Sequence, residues 1–280
     1  MTPTALITGG SGGIGFELAK LFAADGYRVI LVARKPAELE RAAAVIAIRQ
    51  LAEKQSPASV ALNHEIAAAQ RPRNDETVIT IAADLTDPGA PKRIVDELAA
   101  KKINIDVLVN NAGFGALGAL AATDLETTLG MVQLNVTALT ELTRRLLPAI
   151  VERKRGKILN VASTAAFQPG PFMAVYYATK AYVLSFSEAI SEELRGTGIT
   201  VTTLCPGPTA TSFQARAQIE AVPLFRTDVM AAATVAQIGY AAMNRGQRLV
   251  IPGLRNSLGA FLIRLAPRAL VLRFIRSLQN

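Results

Sequence analysis

The chain has 280 residues, half of them apolar, and a formal net charge of +8. That length accommodates one large α/β domain with a substantial core, and no apolar run approaches the ~18 residues needed to cross a bilayer. The one cysteine, Cys205, excludes an intramolecular disulfide and fits a reducing compartment, and the one histidine, His64, has no ligand partners nearby, so no metal site is expected.

Apolar, β-rich runs occur at 4–8, 28–32, 78–82, 106–109, 156–161, 199–204 and 248–251. Helical patterns lie between them at about 13–25, 36–54, 88–101, 123–153, 174–196 and 231–245. Strict strand–helix alternation without a linker or repeat predicts a single α/β domain of the Rossmann type, a doubly wound sheet of about seven parallel strands over residues 1–254. The first strand starts almost at the N-terminus, which leaves no room for a signal peptide and implies a cytoplasmic protein. Ligands of such sheets bind beyond the carboxyl ends of the strands, where strand order reverses.

Two segments carry chemistry. After the first strand comes Thr8-Gly9-Gly10-Ser11-Gly12-Gly13-Ile14-Gly15, then a helix. Glycines allow a backbone to approach a pyrophosphate closely, and a helix N-terminus offers unpaired N–H groups and partial positive charge. The second segment is YYATK, residues 176–180. Tyr176 and Lys180 are four apart and share one helix face, whereas Tyr177 has Ala181 at its own +4 position. A neighbouring ammonium favours the phenolate, so Lys180 is expected to pull the Tyr176 hydroxyl below its usual value of about 10 and make it a usable acid or base.

The motifs TGGSGGIG, ADL at 83–85, NNAG at 110–113, LNVTA at 134–138, NVAST at 160–164, YYATK and CPGPTAT at 205–211 follow in one order. In this the chain resembles the classical short-chain dehydrogenase/reductase family, over residues 1 to about 252. The resemblance implies an oxidoreductase in which Tyr176 is the acid/base and Ser163 hydrogen-bonds the substrate oxygen. It further implies that Lys180 binds the nicotinamide ribose and depresses the tyrosine pKa, and that Asn135 helps hold a proton-relaying water. Two hydroxyl donors aimed at a developing oxyanion make electrostatic sense of that arrangement. The implied cofactor contacts are Gly9, Ser11, Gly13, Ile14 and Gly15 in the glycine turn, with Asp84 and Leu85 flanking the adenine. Asn111, Ala112, Gly113, Tyr176, Lys180, Pro206, Gly207, Thr209 and Thr211 complete the set. At the end of the second strand an Asp or Glu would favour NAD by accepting both ribose hydroxyls. This chain has Val32-Ala33-Arg34-Lys35 instead, and the two cations, Arg34 above all, indicate NADP(H).

The implied activity is NADP(H)-dependent reduction of a ketone, aldehyde or 3-oxoacyl group. The alternatives are an alcohol or hydroxyacyl dehydrogenase working oxidatively, or a dinucleotide-binding protein without catalysis, which the intact Asn-Ser-Tyr-Lys set argues against. Residues from about Gln168 to Met173 and Ser212 to Thr227, among them Phe167, Phe172, Phe213, Leu224 and Phe225, are expected to wall an apolar substrate pocket. Family members commonly form dimers or tetramers through the helices at 123–153 and 174–196.

Two stretches depart from the family pattern. Residues 55–77 form an excursion longer than usual, and they include His64. The tail, 255–280, interleaves Leu, Phe, Ile and Val with arginine, and Pro267 divides it into two short helices. No Asp or Glu follows Asp228, whereas Arg245, Arg248, Arg255, Arg264, Arg268, Arg273 and Arg276 do. Such a basic amphipathic tail reads either as an element that touches a membrane surface or as one packed on its own domain or a dimer partner. Without aromatic interleaving or a recognisable module, nucleic-acid binding is not expected.

Overall fold

Strand β1 (Thr4–Thr8) is buried at every position, and β2 (Arg28–Ala33) is buried along Val29–Val32. Continuous apolar strands of this kind are what a parallel sheet covered on both faces requires. The computed structural model describes residues 2–54, 77–217, 219 and 229–279. The expected excursion up to residue 76, with His64, and the expected pocket residues Leu224 and Phe225 lie outside the described residues.

The remaining strands are β3 (Val78–Ala82), β4 (Val107–Asn110), β5 (Gly156–Val161), β6 (Ile199–Leu204), the two-residue β7 (Thr209–Ala210) and β8 (Met230–Ala231), and β9 (Leu249–Val250). Seven of them form one sheet in the order β3-β2-β1-β4-β5-β6-β9, with every pair parallel. The expected doubly wound sheet is therefore the observed one. The chain winds outward from β1 to β3, then returns to β4 and winds the other way, so strand order reverses between β1 and β4.

Alternate residues of each strand serve opposite cores. Ile7, Leu31 and Val109 pack with Leu18 and Phe22 of α1 (Gly13–Ala24), Leu39 and Ile46 of α2 (Pro36–Lys54), and Tyr240 and Met243 of α8 (Ala232–Asn244). On the other face, Leu6, Ile30 and Leu108 meet Ile94 and Leu98 of α3 (Ala90–Ala100), Leu142 and Ile150 of α5 (Leu139–Glu152), and Ile190 of α6 (Ala174–Glu193). Full burial of each such side chain contributes roughly 1.5–3 kcal/mol.

Two features differ from the sequence expectation. The stretch at 123–153 is not one regular helix: α4 (Leu125–Val132) passes through a π-helical turn, Gln133–Ala138, into α5. Strands β7 and β8 make a small ladder of their own, too short to leave a periodic signal. After the five-residue α7 (Phe213–Ala217) and α8, the tail forms α9 (Leu254–Leu265) and α10 (Arg268–Gln279), one on either side of Pro267. Ala260, Val271 and Ile275 are buried against the domain, so the tail packs on its own chain along one face.

Candidate active site

The carboxyl ends of β1 and β4 are tied together by Thr8 and Asn111. The Thr8 hydroxyl accepts from the backbone N–H groups of Asn111 and Ala112, both at 3.0 Å. Asn111 Nδ2 returns bonds to the carbonyl oxygens of Thr8 (2.9 Å) and Gly9 (3.2 Å). This junction explains two glycines. Gly9 has φ +65°, and a Cβ there would come within 2.8 Å of Asn111 Nδ2. A Cβ on Gly15 would collide with the Asn111 amide and the Gly9 carbonyl. Gly15 is thus a packing glycine, and it does not line the cavity that the other glycines border. At Gly12 a Cβ would meet nothing within 4 Å, so the backbone there faces open space at the α1 N-terminus.

That space is a cavity of about 770 Å³, within the ~300–1,000 Å³ range of small-molecule and cofactor sites. Gly9, Ser11, Gly13 and Ile14 line it from the glycine turn, and Asn111, Ala112 and Gly113 from the β4 turn. Arg34, Asp84 and Leu85 border one end; Pro206, Gly207, Thr209 and Thr211 lie after β6. A cradle of glycine backbone at a helix N-terminus, with cations at one end and hydroxyls at the other, fits a dinucleotide.

At the cationic end, Arg34 lies 3.9 Å from Asp84, both side chains about half exposed, and Lys35 pairs with Glu38 at 2.9 Å. Solvated pairs like these contribute little to stability and leave the cations available to an anion. Arg216, from α7, borders the same end. Its guanidinium is held below the ordinary arginine value, first by desolvation and then by the like charge on Arg34, with Glu38 acting in the opposite direction. Sequence reasoning missed Arg216, because α7 follows β6 by a loop and only the fold brings it across to β2.

At the other end three of the four family positions meet. Tyr176 and Lys180 project from α6 into the cavity, and Ser163 follows β5. The Ser163 oxygen accepts from the Ala165 N–H at 3.1 Å, which leaves its proton free to donate. Lys180 Nζ donates to the Val161 carbonyl at 2.9 Å and lies 5.8 Å from the centre of the Tyr176 ring. Asn135, in the π turn and buried, does not line the cavity. Its amide accepts from the Phe114 N–H (3.1 Å) and donates to the Phe114 carbonyl (2.9 Å) and Thr179 Oγ1 (3.1 Å). Its side chain therefore positions the helix that carries Tyr176.

The expected depression of the Tyr176 pKa by Lys180 is not met. Burial raises the phenol above its ordinary value, and a hydrogen bond with Ser163 only partly offsets that. The same burial pushes the Lys180 ammonium down to about 8. For both groups the largest cause is desolvation, which disfavours the charged form. Cys205, also buried, has its thiol pushed up to about 12, first by burial, which suits the small apolar residue read from the sequence.

The pocket walls need a correction. Gln168, Ser212 and Phe213 line the cavity, and the Phe213 ring lies 5.3 Å from that of Tyr176. Phe167 and Phe172 do not line it. They lie beneath the Arg264 and Arg276 guanidinium groups of the tail, each 5.8 Å from its ring, and Phe172 adopts φ +61°. Tail residues Asn256, Ala260, Ile263, Phe274 and Ile275 take their place in the wall.

Comparison with known proteins agrees with this geometry. A family model described as short chain dehydrogenase matches residues 3–65 and 47–221. A short chain dehydrogenase of Pseudocercospora fijiensis is 34% identical over 206 residues, 73% of this chain, which spans 59% of that protein's length. A serine 3-dehydrogenase of Rhizobium radiobacter is 34% identical over 215 residues, 76% of this chain and 74% of its own. A short-chain dehydrogenase from Sphingobium yanoikuyae, solved in complex with NADPH, superposes with a TM-score of 0.78 at 29% identity, covering 96% of this chain and 94% of that one. The ordered motifs, the parallel sheet and the shared cavity thus have one source: the chain belongs to the short-chain dehydrogenase/reductase family and is an oxidoreductase.

Proposed function

We propose that this enzyme uses NADPH to reduce the carbonyl group of an apolar substrate, a ketone, aldehyde or 3-oxoacyl compound. The observation that carries this reading is one cavity with the Tyr176, Ser163 and Lys180 side chains at one end and Arg34, Lys35 and Arg216 at the other. Bound dinucleotide supplies the hydride. Burial keeps the Tyr176 phenol protonated, so it stands as the acid that donates to the carbonyl oxygen as negative charge builds there. Ser163 donates the second hydrogen bond to that oxygen. Lys180 stabilises the phenolate left behind and holds the ribose, and Asn135 keeps Tyr176 in place through Thr179 and Phe114.

NADP(H) is favoured over NAD(H) because no carboxylate stands at the end of β2 and Arg34 and Arg216 can share a 2′-phosphate. The NADPH complex of the Sphingobium relative supports the same choice. An apolar substrate suits Phe213, Ile263, Phe274 and Ile275 in the walls. We also propose a homo-oligomer, since Leu125, Leu129 and Val132 form an exposed apolar stripe on α4. The buried, sole cysteine supports residence in a reducing compartment such as the cytoplasm.

The test is a panel of ketones, aldehydes and 3-oxoacyl thioesters assayed with NADPH and with NADH. Turnover of apolar members with a preference for NADPH is expected. Failure to reduce any of them with either cofactor, by protein that binds NADPH, would sink the reading.

A further inference from the structure

The tail has two faces, and only one is used by the domain. On α9 the buried side carries Ala260, whereas Leu254, Leu258, Phe261, Leu262 and Leu265 point away, each more than half exposed. Their spacing, i, i+4, i+7, i+8 and i+11, places all five on one side of the helix. On α10, Val271 and Ile275 are buried, while Leu270 and Phe274 are more than half exposed. An amphipathic helix in a globular protein ordinarily turns such a stripe inward. Here it faces solvent, and Arg264, Arg268, Arg273 and Arg276 accompany it, all with exposed residues.

Charge selects the occupant. Self-association through this face would be isologous and would gather the arginines of both copies around one contact. The segment holds no carboxylate to pair with them, because none follows Asp228. An anionic bilayer offers both an apolar layer and negative headgroups, and amphipathic helices with arginine on their flanks bind it in the interface plane. No helix among the described residues is long and apolar enough to cross a membrane, so the contact is peripheral.

We propose that α9 and α10 together seat this protein on an anionic lipid surface. Ile263, Phe274 and Ile275 belong both to these helices and to the cavity wall, so the seated enzyme opens its pocket beside the acyl layer. That deepens the reading of an apolar substrate and rests on it; the lipid contact itself does not.

The test is sedimentation of the full chain with vesicles of phosphatidylcholine alone and of phosphatidylcholine mixed with phosphatidylglycerol. At least tenfold stronger binding to the mixed vesicles is expected. The binding should weaken as salt shortens the Debye length from about 10 Å at 0.1 M to about 3 Å at 1 M. The double variant Phe261→Asp/Leu265→Asp, altered outside the cavity wall, should lose vesicle binding. It should keep NADPH affinity and the oligomeric state seen without lipid. Arg268→Gln/Arg273→Gln, with no buried group changed, should lose roughly tenfold to thirtyfold in affinity for the mixed vesicles. Absence of wild-type binding, or equal binding to both vesicle types, overturns the proposal. So does a change of oligomeric state in the Asp variant, which would make this face a subunit contact.

Discussion

Asn135 donates a 3.1 Å hydrogen bond to Thr179, whose hydroxyl donates in turn to the Tyr176 carbonyl at 2.7 Å. The amide also clamps both backbone groups of Phe114. A widened π turn thereby fixes the helical turn that aims Tyr176. Asn135→Ala should leave these buried polar groups unpaired, at a cost of about 1–3 kcal/mol each. We expect a lower Tm and a kcat reduced by tenfold or more, with NADPH affinity changed much less. Unaltered kcat in the folded variant would remove Asn135 from the machinery.

Tyr176→Phe deletes only the hydroxyl and keeps the ring packed on Phe213. Loss of a general acid should lower kcat by roughly 10²–10⁴-fold, while fluorescence titration still shows NADPH binding. Near-normal turnover with any competent carbonyl would exclude Tyr176 as the acid.

Cofactor choice should respond to both arginines. A charge-assisted contact with phosphate contributes about 1.5–3 kcal/mol, so Arg34→Ala and Arg216→Ala should each weaken NADPH binding by roughly ten- to a hundredfold and leave NADH binding nearly unchanged. Because each single variant also relieves the repulsion between Arg34 and Arg216, the double variant should lose more than the two single losses combined. Calorimetric titration of the four proteins with both dinucleotides decides this. Strict additivity would mean that the two side chains do not share one phosphate.

The pH dependence follows from Lys180. Its pKa of about 8 means that the ammonium assisting Tyr176 is present below that value and lost above it. Reductive kcat/KM should therefore fall as pH rises through about 8. The stability effect has the opposite sign. The unfolded chain holds this proton up to its ordinary value of about 10.5, so between about 8 and 10.5 it binds more protons than the folded chain, and stability rises with pH. Urea titrations across that window should show wild type gaining stability relative to Lys180→Met as pH increases, by an amount on the order of a few kcal/mol. A stability difference that does not change with pH would place the titration elsewhere.

Leu129→Lys places a charge in the centre of the exposed α4 stripe. Analytical ultracentrifugation should show a shift towards smaller species, with the sheet intact by circular dichroism. An unchanged distribution would move the subunit contact away from α4.

Much of the site was legible in the chain because its chemistry is local. Glycines in a strand–turn–helix junction, and a tyrosine and lysine four apart on one helix, state their geometry through backbone periodicity alone. So did the seven strands, since parallel strands buried on both faces must be apolar throughout. Other features depended on groups distant in sequence. The π turn at Asn135 leaves no periodic mark, and Arg216 reaches Arg34 only because the sheet folds α7 towards β2. The protonation of Tyr176 reversed the expectation because the four-residue spacing tells of the neighbouring charge but not of the desolvation, which packing alone sets. The tail shows the same division. Its composition foretold an amphipathic, basic element, but which face meets the domain and which meets solvent was decided by the fit of Ala260, Val271 and Ile275 against the completed fold.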